Sequence, residues 1–161
     1  MIEIRPSILS DHEKVWEIIK EVISSGDTYV FSPQSSKEKM LKFWFGEDKY
    51  TYTALVNEQI AGTFFIKENQ PDLGSHIANA GYMTSPSASG KGIGTAMGRF
   101  SIEEAKKLGF KAMQFNIVVK SNVVAVSLWK KLGFEIIGEI PEAFNHWQLG
   151  LTNAYIMYRK V

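Results

Sequence analysis

Residues 85–98 read SPSASGKGIGTAMG, and no other stretch limits the fold as much. A β-rich segment, HIANAGYMT, leads up to Pro86. Beyond the run, IGTAMGRFSIEEAKKLG carries apolar or small residues at helical spacing and is closed by Gly109. A strand must therefore turn through Gly90, Gly92 and Gly94 straight into a helix. Glycines at this density let successive backbone N–H groups face outward together, and the helix dipole adds about half a positive charge at that end. The expectation is an anion site sized for a diphosphate, built from the amides of Gly90, Lys91, Gly92, Ile93, Gly94 and Thr95.

Two common phosphate loops do not fit. A P-loop needs G-x-x-x-x-G-K-[ST], but here Lys91 precedes Gly92. The dinucleotide pattern G-x-G-x-x-G fails because Thr95 occupies the sixth position counted from Gly90, and because the preceding strand is not the first of a βαβ unit.

The rest of the chain supplies a sheet. IEIR is a short first strand, and SDHEKVWEIIKEVISS is a helix capped by Ser10 with Glu13. SSKEKMLKFWFG is a shorter helix capped by Ser35 or Ser36. The period then changes from 3.6 to 2: YTYTALV and IAGTFFIK form a hairpin, and HIANAGYMT is the third strand of that meander. KAMQFNIVV is a strand with Met113, Phe115, Ile117 and Val119 on one face and Gln114, Asn116 and Val118 on the other. SNVVAVSLWKKLG is a helix, FEIIGEI a strand, PEAFNHWQLGLTN a long loop and AYIMYRKV a last strand. This order predicts one α/β domain over residues 1–161, with about seven mostly antiparallel strands and helices on both faces.

Composition narrows the partners. The formal net charge is +1 and like charges never run beyond two residues, so neither a nucleic-acid nor an anionic-membrane footprint is expected. There is no cysteine, which excludes thiolate metal sites and an acyl-cysteine intermediate. No His, Asp and Glu residues share metal-ligand spacing, so no metal is expected. No leader-like segment and no apolar run of membrane-spanning length is seen, and a cytoplasmic protein is expected.

YMTSPSASGKGIG, followed by LGF and SNVVAVSLWKKLGFEIIGEI, resembles the GCN5-related N-acetyltransferases over about residues 76–140. A narrower likeness joins SHIANAGYMTSPSASGKGIG and FNIVVKSN to the fungal enzymes that acetylate proline analogues such as azetidine-2-carboxylate. The resemblance implies acetyl-CoA as co-substrate and a small-molecule amine as acceptor. It makes the glycine run a pyrophosphate site. It places Met83 and Thr84 against the pantetheine arm and Asn122 against the coenzyme. Two positions depart from the family pattern: Ser89 stands where Arg or Gln is usual, with Lys91 nearby to supply charge, and Trp129 stands where a tyrosine often lies near the thioester sulfur. An indole N–H donates a hydrogen bond but does not titrate, so the usual general acid is missing.

Many members of the family place Glu on the strand that here reads HIANAGY. Asn79 cannot act as a base, so Asn79 and Asn116 are expected to orient the substrate, the acetyl carbonyl or a relaying water. Tyr29, Phe31 and Phe144, with Trp147, are expected to wall the acceptor pocket by analogy of position. His76 and His146 are expected to be solvated. Two further readings stay open: a coenzyme-binding sensor without chemistry, and a protein or peptide N-acetyltransferase. The oligomeric state is left open, a homodimer included.

Overall fold

The computed structural model describes residues 1–161. Strands β1 (Ile2–Pro6), β2 (Lys49–Val56), β3 (Gln59–Glu68), β4 (Ile77–Thr84), β5 (Ala112–Val119), β6 (Glu135–His146) and β7 (Gly150–Lys160) form one sheet in the order β1-β2-β3-β4-β5-β7-β6. Every neighbouring pair is antiparallel except β4–β5. The helices are α1 (His12–Ser24), α2 (Lys37–Trp44), α3 (Ile93–Lys107) and α4 (Val123–Lys131). None is long and apolar enough to cross a membrane.

Side-chain alternation on the central strands feeds two cores. On one face, Phe64, Ile66 and Ala78 pack against Ile93, Met97 and Ala105 of α3 and Trp129 of α4. On the other, Phe65 and Met83 meet Val15, Ile19 and Ile23 of α1 and Met40 and Trp44 of α2. The expected mixed sheet with helices on both faces is present.

The details differ in four places. The stretch 141–153 is not a long loop: β6 runs to His146 and pairs with β7 down to His146–Gly150. Pro141 sits where the register shifts between Ile140 and Phe144, and a strand accepts proline at such a bulge. Glu142 there has φ 53, and its N–H donates to Asn153 Oδ1 at 2.9 Å. In β5 the alternation breaks between Phe115 and Val118, so Val118 enters the core while Ile117 is 40% exposed, the reverse of expectation. His146 is buried rather than solvated, and its Nδ1 accepts from the N–H groups of Gln148 and Leu149, both at 3.1 Å. His76 is exposed as expected.

The fourth difference is the start of α1. Ser10 lies inside a 3-10 turn, and Asp11 takes the N-cap position of α1 without a side-chain bond to the helix; its Oδ2 instead accepts from Ile8 N–H at 2.9 Å and closes the turn. Asp11 is 3% exposed and takes two parallel bonds from Arg5, at 2.7 and 3.0 Å, plus one from Thr53 Oγ1 at 3.2 Å. The hydrogen bond from Arg5 is the main reason its pKa lies below the usual carboxylate range, against the opposing effect of burial. A depressed folded pKa stabilises the fold above the unfolded value of about 4, and that stability is lost as pH falls through the folded pKa. Asp11→Asn is therefore expected to cost about 2–3 kcal/mol at pH 7. In urea unfolding the gap from the parent chain should shrink below pH 4; a gap that stays constant would contradict this linkage.

Candidate active site

The site begins where β4 and β5 part. The two strands pair only at Ile77–Ala112 and Ala78–Met113, and then diverge. Two features shape the fork. Asn79 Nδ2 donates to Gln114 O at 3.0 Å, replacing the next rung with a side-chain bridge. The register shift in β5 sets Asn116 and Ile117 opposite a single residue of β7 and turns both outward. The fork opens into a cleft of about 1290 Å³ whose walls include Asn79, Tyr82, Asn116, Asn122 and Trp129.

At its far end the cleft meets the glycine turn. Gly90 and Gly92 have φ 77 and 78, the left-handed region that favours glycine, and a Cβ on either would point into open space. Gly92 is the N-cap of α3, no side chain caps the helix, and neither Gly90 nor Lys91 donates a backbone hydrogen bond. The first-turn donors of α3 are left open toward the cleft, which is the geometry an anion requires.

The structure brings most of the expected residues together. Met83, Thr84, Ser89, Gly90, Gly92, Ile93, Gly94, Thr95, Asn122 and Trp129 all line the cleft, with Asn79, Asn116, Tyr29 and Phe31. Lys91 is exposed and does not line it. Phe144 does not line it either: it is buried on β6, in edge contact with His146 at 6.2 Å between ring centroids. Trp147, 69% exposed at the β6–β7 turn, lies outside the lining too and packs on Gly26, with its N–H donating to Gly26 O at 3.2 Å.

Local bonds decide what each side chain has left to offer. Asn116 Nδ2 donates to Asn69 Oδ1 at 2.7 Å, and its Oδ1 accepts from Gln114 at 3.1 Å. Asn122 Oδ1 caps α4 by accepting from Ala125 N–H at 3.3 Å. Trp129 packs tilted against Tyr82 and Phe115 and edge-on to Phe134, at 4.7, 4.6 and 5.6 Å between centroids, and its indole N–H makes no hydrogen bond within the chain. Tyr29 Oη donates to Tyr82 O at 2.9 Å and accepts from Tyr82 N–H at 2.7 Å. Burial pushes the Tyr29 and Tyr82 phenols up, so neither ionises near neutral pH. The carboxylates in the lining are Glu21 and Asp27, and both lie outside the fork strands. Sequence reasoning missed them because they flank the end of α1 and carry no motif.

Comparison with known proteins follows the same lines. Residues 16–134 match the profile described as the Acetyltransferase (GNAT) family. N-acetyltransferase aca1 of Schizosaccharomyces pombe is 39% identical over 98 residues, 60% of this chain and 47% of that protein. Protein SPT10 of Saccharomyces cerevisiae is 33% identical over 86 residues, 53% of this chain and 13% of its own length. The chain thus spans less than half the length of either curated relative. Among solved structures, a GCN5-related N-acetyltransferase from Kribbella flavida is 34% identical with a TM-score of 0.94, covering 99% of this chain and 98% of its own. A phosphinothricin acetyltransferase from Sinorhizobium meliloti shares the fold at 21% identity and a TM-score of 0.87, over 99% of this chain and 88% of its own.

Proposed function

This chain belongs to the acetyltransferase (GNAT) family, and from that premise we propose that it moves the acetyl group of acetyl-CoA to the amine of a small molecule, an amino or imino acid or a proline analogue. The observation that carries the reading is the forked β4–β5 pair with Asn79 and Asn116 on its two arms, in one cleft with the open N-terminus of α3. The related fold from Sinorhizobium meliloti was solved in complex with AcCoA. At about 1290 Å³ the cleft exceeds an ordinary small-ligand site of roughly 300–1,000 Å³, which suits a long co-substrate and an acceptor side by side.

The residues present fit the co-substrate. The amides of Gly90 to Thr95 would hold its pyrophosphate, and the β5-facing backbone of β4 at Thr84, beside Met83, would take its arm. The thioester supplies an activated acetyl group. The acceptor nitrogen attacks the carbonyl carbon, a C–N bond forms, the C–S bond breaks, and the thiol leaves. Asn79 and Asn116 orient acceptor and carbonyl and do not titrate. The amine proton therefore passes through water to solvent or to Glu21 or Asp27. Trp129, which lines the cleft, would offer its unbonded indole N–H to the thioester as a donor without acid chemistry.

Thiol release measured over amino acids, proline analogues, polyamines and peptide N-termini tests the reading. Cyclic imino acids are expected to give the highest kcat/KM. Silence across the panel with coenzyme binding intact would remove the catalytic claim and leave the sensor reading, which Trp129 and the absence of a carboxylate on the fork strands favour. Preference for peptide N-termini would overturn the small-molecule assignment.

A further inference from the structure

Asn116 lies on a stretch of β5 that the register shift turns out of the ladder, and it is exposed, yet its amide is held at both ends. Its Oδ1 accepts from Gln114 Nε2 at 3.1 Å, and its Nδ2 donates to Asn69 Oδ1 at 2.7 Å. The first bond joins residues of one strand and is local. The second is not. Asn69 follows the last residue of β3, and β3 and β5 lie on opposite sides of β4. Strands two places apart are separated by roughly 9.5 Å, so both side chains must reach across β4 to meet.

Asn69 is itself anchored. Its N–H donates to Ile77 O at 2.8 Å, which continues the β3–β4 ladder beyond the Glu68–Ala78 pair, at the closed end of the fork. Its Nδ2 makes no hydrogen bond within the chain, and Asn69 does not line the cleft. The one group it presents to the site is therefore an oxygen bonded to Asn116. A carboxamide carries two N–H donors and two acceptor positions on its oxygen. With one of each taken, Asn116 keeps one donor and one acceptor position, and the bond to Asn69 decides which end of the amide lies toward β4. The Asn79–Gln114 bridge fastens the backbone of the fork; the Asn69–Asn116 bridge fastens a side chain in its wall.

We propose that Asn69 is a positioning residue of this site: from the closed end of the fork it turns the Asn116 amide nitrogen toward β4, so that the remaining donor and acceptor of Asn116 meet the amine substrate in one fixed order. The inference rests on the reading that Asn116 orients that substrate in the cleft. Asn69 touches neither substrate nor coenzyme.

The test is a double-mutant cycle of Asn69→Ala and Asn116→Ala, with Asn69→Asp as the conservative variant, assayed by thiol release from acetyl-CoA with azetidine-2-carboxylate. Asn69→Ala should lower kcat/KM for the imino acid about five- to tenfold, the scale of one neutral hydrogen bond. In the Asn116→Ala background the same change should cost less than about twofold, because bonded residues couple and independent ones add. Asn69→Asp keeps an oxygen toward Asn116 Nδ2 and should return kcat/KM to within about threefold of the parent. The calorimetric Kd for coenzyme A should stay unchanged in both Asn69 variants. A merely structural contribution would lower Tm and act equally in both backgrounds. An Asn69→Ala variant within about twofold of the parent, an equal loss in both backgrounds, or an Asn69→Asp variant as poor as the alanine one overturns the inference and leaves the site standing. An Asn116→Ala variant as active as the parent, or a parent silent with azetidine-2-carboxylate, removes the reading beneath it and this inference with it.

Discussion

Asn79→Ala is expected to lower kcat/KM for acetyl transfer by about 10²-fold, the scale seen when one preorganised polar group is removed from a reacting centre. Two roles fail together. The bridge to Gln114 O is lost, so the closed end of the fork is no longer fixed. The amide that faces the cleft is lost with it. The fold should survive, because one neutral side-chain hydrogen bond is worth about 1 kcal/mol, a shift of about 2–4 °C in Tm for a chain of this size. Asn79→Asp separates size from chemistry. It keeps the shape but turns an acceptor toward the Gln114 carbonyl, and it should be no more active than the alanine variant. Rates within threefold of the parent for both variants would remove Asn79 from the site.

Gly92→Val is expected to weaken coenzyme binding by about thirtyfold, or about 2 kcal/mol. A β-branched residue at φ 78 costs about 1–2 kcal/mol or more in backbone strain, which would reorient the peptide groups on either side. The new side chain would also enter the open space beside the turn, the volume a pyrophosphate would fill. Gly150 provides an internal control. It has φ 73, nothing lies within 4 Å of a Cβ built there, and it sits in the β6–β7 turn away from the cleft. Gly150→Val should lower Tm comparably and leave the calorimetric Kd for coenzyme A unchanged. Equal Kd values for the two variants would show that the glycine turn does not hold the coenzyme.

What could be read from the chain depended on whether the signal was local. The strand–glycine turn–helix unit is local, and its residues fell where expected, because positive φ at Gly90 and Gly92 and the helical spacing after Ile93 are written in adjacent positions. Asn79 and Asn116 were legible as polar residues on β-rich segments, and the fold brings both to one cleft. Features that depend on strand pairing were not legible. Val118 and Ile117 exchange faces because β7 opposes one residue to two of β5, and nothing within 111–119 announces this. Pro141, Asn145, Gly150 and Asn153 read as loop formers, yet a bulge absorbs the proline and a tight turn uses the glycine. Tyr29 was placed in the pocket as an aromatic wall. That its hydroxyl would bond to Tyr82, 53 positions away, depends on where the loop after α1 crosses the sheet.

The strand order β5-β7-β6 bears on how this chain is made. β7 lies between two strands that precede it, so as synthesis proceeds β6 emerges before its partner exists. Until residues 150–160 arrive, β6 has no rung to pair with, and its Ile136 and Ile137 are exposed even in the finished fold. The central arm of the fork, β5, likewise keeps only its two-residue contact with β4. Long-range pairing of this kind is slow and leaves unpaired edges open to other chains. The nascent chain is therefore most exposed to self-association late, after the glycine turn and α4 have formed, and shielding by chaperones is needed most in that interval.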